Sequence, residues 1–343
     1  MQITSFRKTT NLNCSSPDAL IKILPEVVNQ VEKKGFSVFS AWDTEADTVQ
    51  KIARQFGKIM RHIRADESGI TTVAQGKSWH QNSNSSQNSP IEKNEYQSYD
   101  ADEVIAHTDG TFIDGMNIID GQIVRVEPPY VVLFQCVAPA EQGGELILID
   151  TQQVLSDMLV ENAQLAKILL TPGCISFCRD DQIALDFPVF QQRFDGSLRV
   201  RINCDNKAFT PDWSYEAVKR LYEEYFKNPK YRVALKLESK DVLVIDNYRV
   251  LHGRAVYQVY NNNNIRHHRR IWVANEPPNL VKNLQEEVKM KRAFETYNSY
   301  RITSPLLEEV PFKIKGGIRL KAESEKLLPG ILHDLNISGS KER

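Results

Sequence analysis

Hydrophobic and polar positions change their rhythm along this chain. SPDALIKILPEVVNQVEKKG reads as a helix, with Ser16 as N-cap, Pro17 at the first helical position and Gly35 closing it. FSVF (36–39) follows as a short strand, and TEADTVQKIARQFG predicts a second amphipathic helix capped by Thr44 and ended by Gly57. The middle of the chain is strand-rich. PPYVVLFQCVAPA (128–140), GELILID (144–150), LRVRINC (198–204), YRVALKLES (231–239), DVLVIDN (241–247) and HHRRIWVAN (267–275) are short β-branched runs bounded by Gly, Pro, Asn or Asp. Helices over 152–169 and 214–226 interrupt them. Strands separated by turns in this way imply an antiparallel sandwich or barrel with helices packed outside.

Two segments break the pattern. Residues 76–103 are polar, almost free of aliphatic side chains, and too long for an ordinary connection in a compact domain, so they are expected to form a functional lid. Residues 276–343 form a charged tail with one predicted helix, NLVKNLQEEVKMKRAFETYN. With no internal repeat, the chain reads as one catalytic domain over 1–275 and a helical extension of that domain over 276–343.

Composition narrows the function classes. The 343 residues are 41% hydrophobic and 25% charged, with a net charge of -1, which lacks the basic bias of a nucleic-acid binder. No apolar run is long enough to span a membrane, and the N-terminus has no hydrophobic signal core, so a cytoplasmic location is expected. The five cysteines are odd in number and form no CxxC pair, so free thiols are expected.

Candidate chemistry begins at VIAHTDGTF (104–112). On a strand, His107 and Asp109 would share a face while Thr108 points away. Alone, the pair also fits a half-buried histidine bonded to a carboxylate. In DVLVIDNYRVLHGRAVY a buried strand turns at Asp246–Asn247, and a second apolar stretch delivers His252 before Gly253. An imidazole in such a strand needs a partner or a metal, and two histidines with one carboxylate form the facial triad of non-haem iron(II). Fourteen residues later, IRHHRRIW places Arg266 and Arg270 four apart, on one face of a strand and able to point into one cavity. Arginine grips a carboxylate bidentately, which suits a dicarboxylate cosubstrate. Arg269, His267 and His268 read as a solvated basic cluster.

HTD, then GGELILIDT, then VLHGR and an arginine fourteen residues on resembles the taurine dioxygenase-like superfamily of iron(II)- and 2-oxoglutarate-dependent oxygenases, a group related to clavaminate synthase. The resemblance runs from about residue 35 to residue 275. It implies an α+β, mostly β fold: a double-stranded β-helix (jelly-roll, cupin-like) with flanking helices. It also implies His107, Asp109 and His252 as Fe(II) ligands, Arg266 as the holder of the distal carboxylate of 2-oxoglutarate, and O2 as second cosubstrate. Arg270 would be a partner of the metal site or a contact to an anionic substrate. Halogenating relatives replace the carboxylate ligand with a small residue, so Asp109 implies hydroxylation or a related oxidation such as desaturation or cyclisation.

The chain departs from the family pattern in two places. Leu146 stands where the family often has a threonine that helps bind the cosubstrate, and extra residues over 113–124 follow the HTD motif as a surface hairpin or a shaper of substrate entry. The expected partner is a small polar molecule, an amino-acid derivative either free or carrier-tethered, and neither nucleic acid nor membrane. A zinc hydrolase built on the same triad is the rival enzyme, but it leaves Arg266 without a task.

Overall fold

Local signals set the first elements of the computed structural model. Ser16 Oγ accepts from the Ala19 amide, and Gly35 at φ 82° ends the helix Pro17–Lys34, as its sequence requires. The second helix, Ala46–Arg54, is not capped by Thr44: Asp43 Oδ1 accepts from the Glu45 amide and from Thr48 Oγ1, doing that work from one residue earlier. The structure describes residues 5–6, 12–62, 64–74, 102–113, 115–119, 122–179, 182–193, 196–204, 208–258, 266–274, 312 and 314–340. The lid expected over 76–103 lies outside them except for its last two residues, and so does the helix expected over 279–298.

Two largely antiparallel sheets carry the molecule. One runs in the order Phe36–Ser40, Asp241–Asp246, Val131–Ala138, His267–Ala274 and Lys58–Met60, with Ile70–Ala74 also paired to His267–Ala274. The other runs Ser5–Phe6, Arg232–Leu235, Leu146–Asp150, Val250–Arg254 and Val104–His107. In the first sheet, alternate residues serve two cores. Val131, Leu133, Val242, Val244, Ile271 and Val273 pack under the two N-terminal helices through Leu24, Val27, Val31 and Ile52. Val132, Phe134, Cys136, Leu243, Ile245 and Trp272 face the other way, joining Leu146 and Leu148 of the second sheet. Burial on both faces is why VVLFQCV reads as a continuous apolar run. Each fully buried Leu or Val contributes about 1.5–3 kcal/mol, so the helices are anchored by packing more than by propensity.

Several elements differ from expectation. The helix expected over 152–169 is two, Thr151–Glu161 and Ala163–Leu169, because Asn162 leaves helical geometry and caps the second through Leu165. Helix Asp212–Arg220 runs on into a wider π-helical turn, Leu221–Phe226. A hairpin, Gly115–Ile119 against Gln122–Val126, occupies most of 113–124 and runs two residues past it. All five cysteines are free. Among the described residues, no helix is long and apolar enough to cross a membrane.

Candidate metal centre

The second sheet brings the two histidines together. Val250–Arg254 pairs antiparallel with Val104–His107 so that His252 lies opposite His107, and the register shifts between His252 and Arg254. Gly253 permits the approach: a Cβ there would stand 2.5 Å from the Val104 carbonyl oxygen. The imidazole centroids are 4.8 Å apart.

Asp109 arrives by a different route from the one its spacing suggested. The strand stops at His107, so Asp109 is not its third residue but part of the loop that follows. That loop is held from the far side of the sequence. Asn247 Oδ1 accepts from the Asp109 amide at 2.8 Å, while its Nδ2 donates to the carbonyls of Asp109 at 3.0 Å and Pro129 at 2.8 Å. The Thr108 hydroxyl accepts from the Ile202 amide.

Donor atoms of His107, Asp109 and His252 all lie within 4.8 Å of one another. His107 Nδ1 lies 2.8 Å from the Ile105 carbonyl, which can only accept, so Nδ1 carries a proton and Nε2 faces Asp109 Oδ1 at 3.8 Å. His252 Nε2 stands 3.6 Å from Asp109 Oδ2. Burial lowers the His252 pKa to about 3, so this ring is neutral. Burial would raise the Asp109 carboxyl, yet the Arg270 guanidinium beside it holds it well below the ordinary carboxylate range. The neutral His252 ring and His107 Nε2 thus face an ionised carboxylate in a buried site. A divalent cation resolves that arrangement, and two nitrogens plus one oxygen suit iron(II) with coordination positions left open.

The carboxylate has two further partners. Arg270 Nη1 donates to Oδ1 and Trp272 Nε1 to Oδ2, each at 2.8 Å. Arg270 is thus engaged by Asp109 itself. Trp272 is in turn braced by the His62 ring, edge-on at 4.5 Å.

Arg266 shares the inward face of the strand, as the four-residue spacing implies, and is 4% exposed. It has no carboxylate within ion-pair distance among the described residues. Burial, reinforced by Arg254, lowers its pKa to about 10, and the neighbouring Cys136 thiol is pushed by burial up to about 12, so neither neighbour offers an anion. Gly144 makes room: a Cβ there would lie 3.3 Å from Arg266 Nε and Cδ. A buried cation without a counter-charge is costly, and a ligand carboxylate fits the need. Leu146, opposite Arg254 across the strands, adds an apolar wall and no hydroxyl.

The basic-cluster reading of Arg269 and His268 does not hold. Arg269 lies on the other face but donates to Gln135 Oε1 and the Thr44 carbonyl, and His268 is 3% exposed with Nδ1 3.2 Å from Arg266 Nη2. Asn247, Trp272 and His268 were missed as site residues. The alternation that selected Arg266 and Arg270 applies equally to His268 and Trp272; nothing local marks Asn247.

Comparison with known proteins agrees with this geometry. The model of the taurine catabolism dioxygenase TauD, TfdA family matches residues 2–272. A uridine-5'-phosphate dioxygenase from Amycolatopsis sp is 26% identical over 151 residues, 41% of this chain and 54% of that protein. The mitochondrial trimethyllysine dioxygenase of Homo sapiens is 27% identical over 168 residues, 45% of this chain and 37% of that protein. The chain thus spans about half or less of the curated relatives it matches. An asparagine oxygenase solved with Fe(II), 2S,3S-3-hydroxyasparagine and succinate shares the fold at TM-score 0.57 and 11% identity, over 76% of this chain and 82% of that one. With the matched span covering both histidines, the aspartate and both inward arginines, the chain belongs to the TauD/TfdA dioxygenase family.

Proposed function

We propose that this chain is an iron(II)- and 2-oxoglutarate-dependent dioxygenase that hydroxylates an unactivated C–H bond of a small polar substrate of amino-acid type. The observation that carries the reading is the convergence of two imidazole nitrogens and one ionised carboxylate, together with a buried arginine that has no carboxylate partner among the described residues. His107, Asp109 and His252 would hold the iron, and Arg266 the distal carboxylate of the cosubstrate. Bound together, the metal and 2-oxoglutarate supply oxidative decarboxylation to succinate and carbon dioxide, coupled to oxidation of the substrate by dioxygen.

The chain's own residues do the rest. The Ile105 carbonyl accepts from His107 Nδ1, so Nε2 would be the atom offered to the metal. Arg270 and Trp272 orient both Asp109 oxygens and keep the carboxylate ionised. Phe134, edge-on to His252 at 5.2 Å, and Leu148, opposite His252 across the strands, make that side of the site apolar. Because Arg270 is engaged by Asp109, an anionic substrate group would need another cation. The amino-acid assignment draws on the relative named for trimethyllysine. We read the two sheets as the faces of a double-stranded β-helix, 1–275 as the oxygenase domain, and 276–343 as its extension. Packing of Ile318 and Leu328 into the same core supports one domain.

Anaerobic reconstitution tests the reading. Wild-type protein is expected to bind one Fe(II) per chain and to develop a charge-transfer absorption on adding 2-oxoglutarate, with Asp109→Ala losing both. Tight zinc binding, hydrolytic activity and no such absorption would favour the hydrolase instead.

A further inference from the structure

His268, on the His267–Ala274 strand, sits between Arg270 and Arg266, which precedes the strand by one residue, and has no task in the chemistry above. Its ring is buried, and Nδ1 lies 3.2 Å from Arg266 Nη2. A guanidinium has only donors, so Nδ1 must accept and the ring proton resides on Nε2. The ring cannot be a second cation here: burial, with Arg266, His267 and Arg254 nearby, holds it neutral, well below the ordinary histidine range. Among the described residues, the other surroundings of Arg266 do not orient its fork. Gly144 offers only space, Cys136 stays a neutral thiol, and the Tyr257 ring lies 5.9 Å from the guanidinium carbon. One acceptor therefore takes one of the arginine's N–H groups and leaves the remaining edge for a ligand. Leu146, apolar and buried, gives no help from the neighbouring strand.

We propose that His268 is a positioning residue for the cosubstrate, fixing the Arg266 guanidinium so that it receives the distal carboxylate of a five-carbon 2-oxo dicarboxylic acid. The inference rests on the iron and 2-oxoglutarate reading and adds to it the group that orients its arginine. His268 acts through Arg266, the one partner to which its Nδ1 is bonded among the described residues.

The test separates the distal carboxylate from the rest of the ligand. Binding of 2-oxoglutarate and of 2-oxopentanoate, which lacks the distal carboxylate, is measured anaerobically by calorimetry on the Mn(II)-loaded full chain. His268→Leu is expected to weaken 2-oxoglutarate about tenfold while leaving 2-oxopentanoate and metal affinity unchanged. His268→Gln, whose side-chain oxygen falls nearer the Nε2 position, should show the same selective loss, and it decides the matter should the leucine variant fail to fold. His268→Asn, which places an oxygen near Nδ1, should restore most of the affinity. A wild-type preference for 2-oxoglutarate that survives in both His268→Leu and His268→Gln overturns the proposal. Absence of any preference in the wild type, or its survival in Arg266→Met, overturns instead the reading of Arg266 on which the proposal stands.

Discussion

At Asp109, two hydrogen-bond donors and two imidazole nitrogens converge on a single carboxylate. Arg270 and Trp272 each hold one oxygen at 2.8 Å, so the group is oriented before any metal arrives. Partners behind a metal ligand typically matter 10–100-fold in affinity. Trp272→Phe, which keeps the ring and deletes the donor, should weaken Fe(II) binding about tenfold in anaerobic titration with the fold intact. Titration of the buried rings gives a second expectation. His252 falls from 6.5 to about 3 on folding, and His268 also falls well below 6.5, so between these values the unfolded chain binds more protons than the folded one. Stability is full above about pH 6.5 and is lost as the pH drops towards 3. Asp246, raised by burial from 3.8 to about 6, works the other way: its contribution is present at low pH and lost as the pH rises through about 6. Two depressed histidines outweigh one raised carboxyl, so melting of metal-free protein should shift downward on acidification from pH 6.5 to 4. A flat or rising profile would contradict this assignment of charges.

Among elements, the pairing of Val250–Arg254 with Val104–His107 decides the geometry of the site. Gly253→Ala puts a Cβ against backbone rather than a flexible side chain, so the strands must separate. We expect a loss of about 1–3 kcal/mol in denaturant unfolding together with weakened metal binding. What the sequence disclosed follows from the same distinction between local and distant causes. The caps of the first helix, the strand runs and the parity that turns Arg266 and Arg270 inward are local, and they were legible, whereas the Thr44 cap gave way to Asp43. Parity also turned His268 and Trp272 inward, but their residue types suggested surface and core, and that concealed their roles. Asp109 was placed on the correct side for the wrong reason. Its strand ends at His107, and the loop is held by Asn247, 138 residues away, a bond that no spacing rule could reveal. Asn162 likewise split a helix that apolar periodicity had joined.

On the scale of the whole molecule, the C-terminal segment is tied to the metal loop through one turn. The Gly317 amide donates to Asp246 Oδ2 at 2.7 Å, Tyr130 Oη donates to the Ile314 carbonyl at 3.1 Å, and Ile318 bridges to Leu198. Asp246 adjoins Asn247, which clamps Asp109, so residues 314–318 and the metal loop meet on the same two-residue turn. Gly316→Ala would set a Cβ 2.5 Å from Asp246 Oδ2 and 2.7 Å from Tyr130 Oη. That variant should melt several degrees lower and expose the C-terminal segment to limited proteolysis. The central claim concerns chemistry, and release of succinate by the iron-reconstituted chain tests it most directly. Incubated with 2-oxoglutarate, oxygen and a panel of amino acids and small acids, wild-type protein should form succinate in an oxygen-dependent manner, faster with its true substrate. Asp109→Ala and Arg266→Met should fall to background. Succinate formation by Asp109→Ala at the wild-type rate, or none by the wild type across the panel under conditions where it holds iron, would contradict the account.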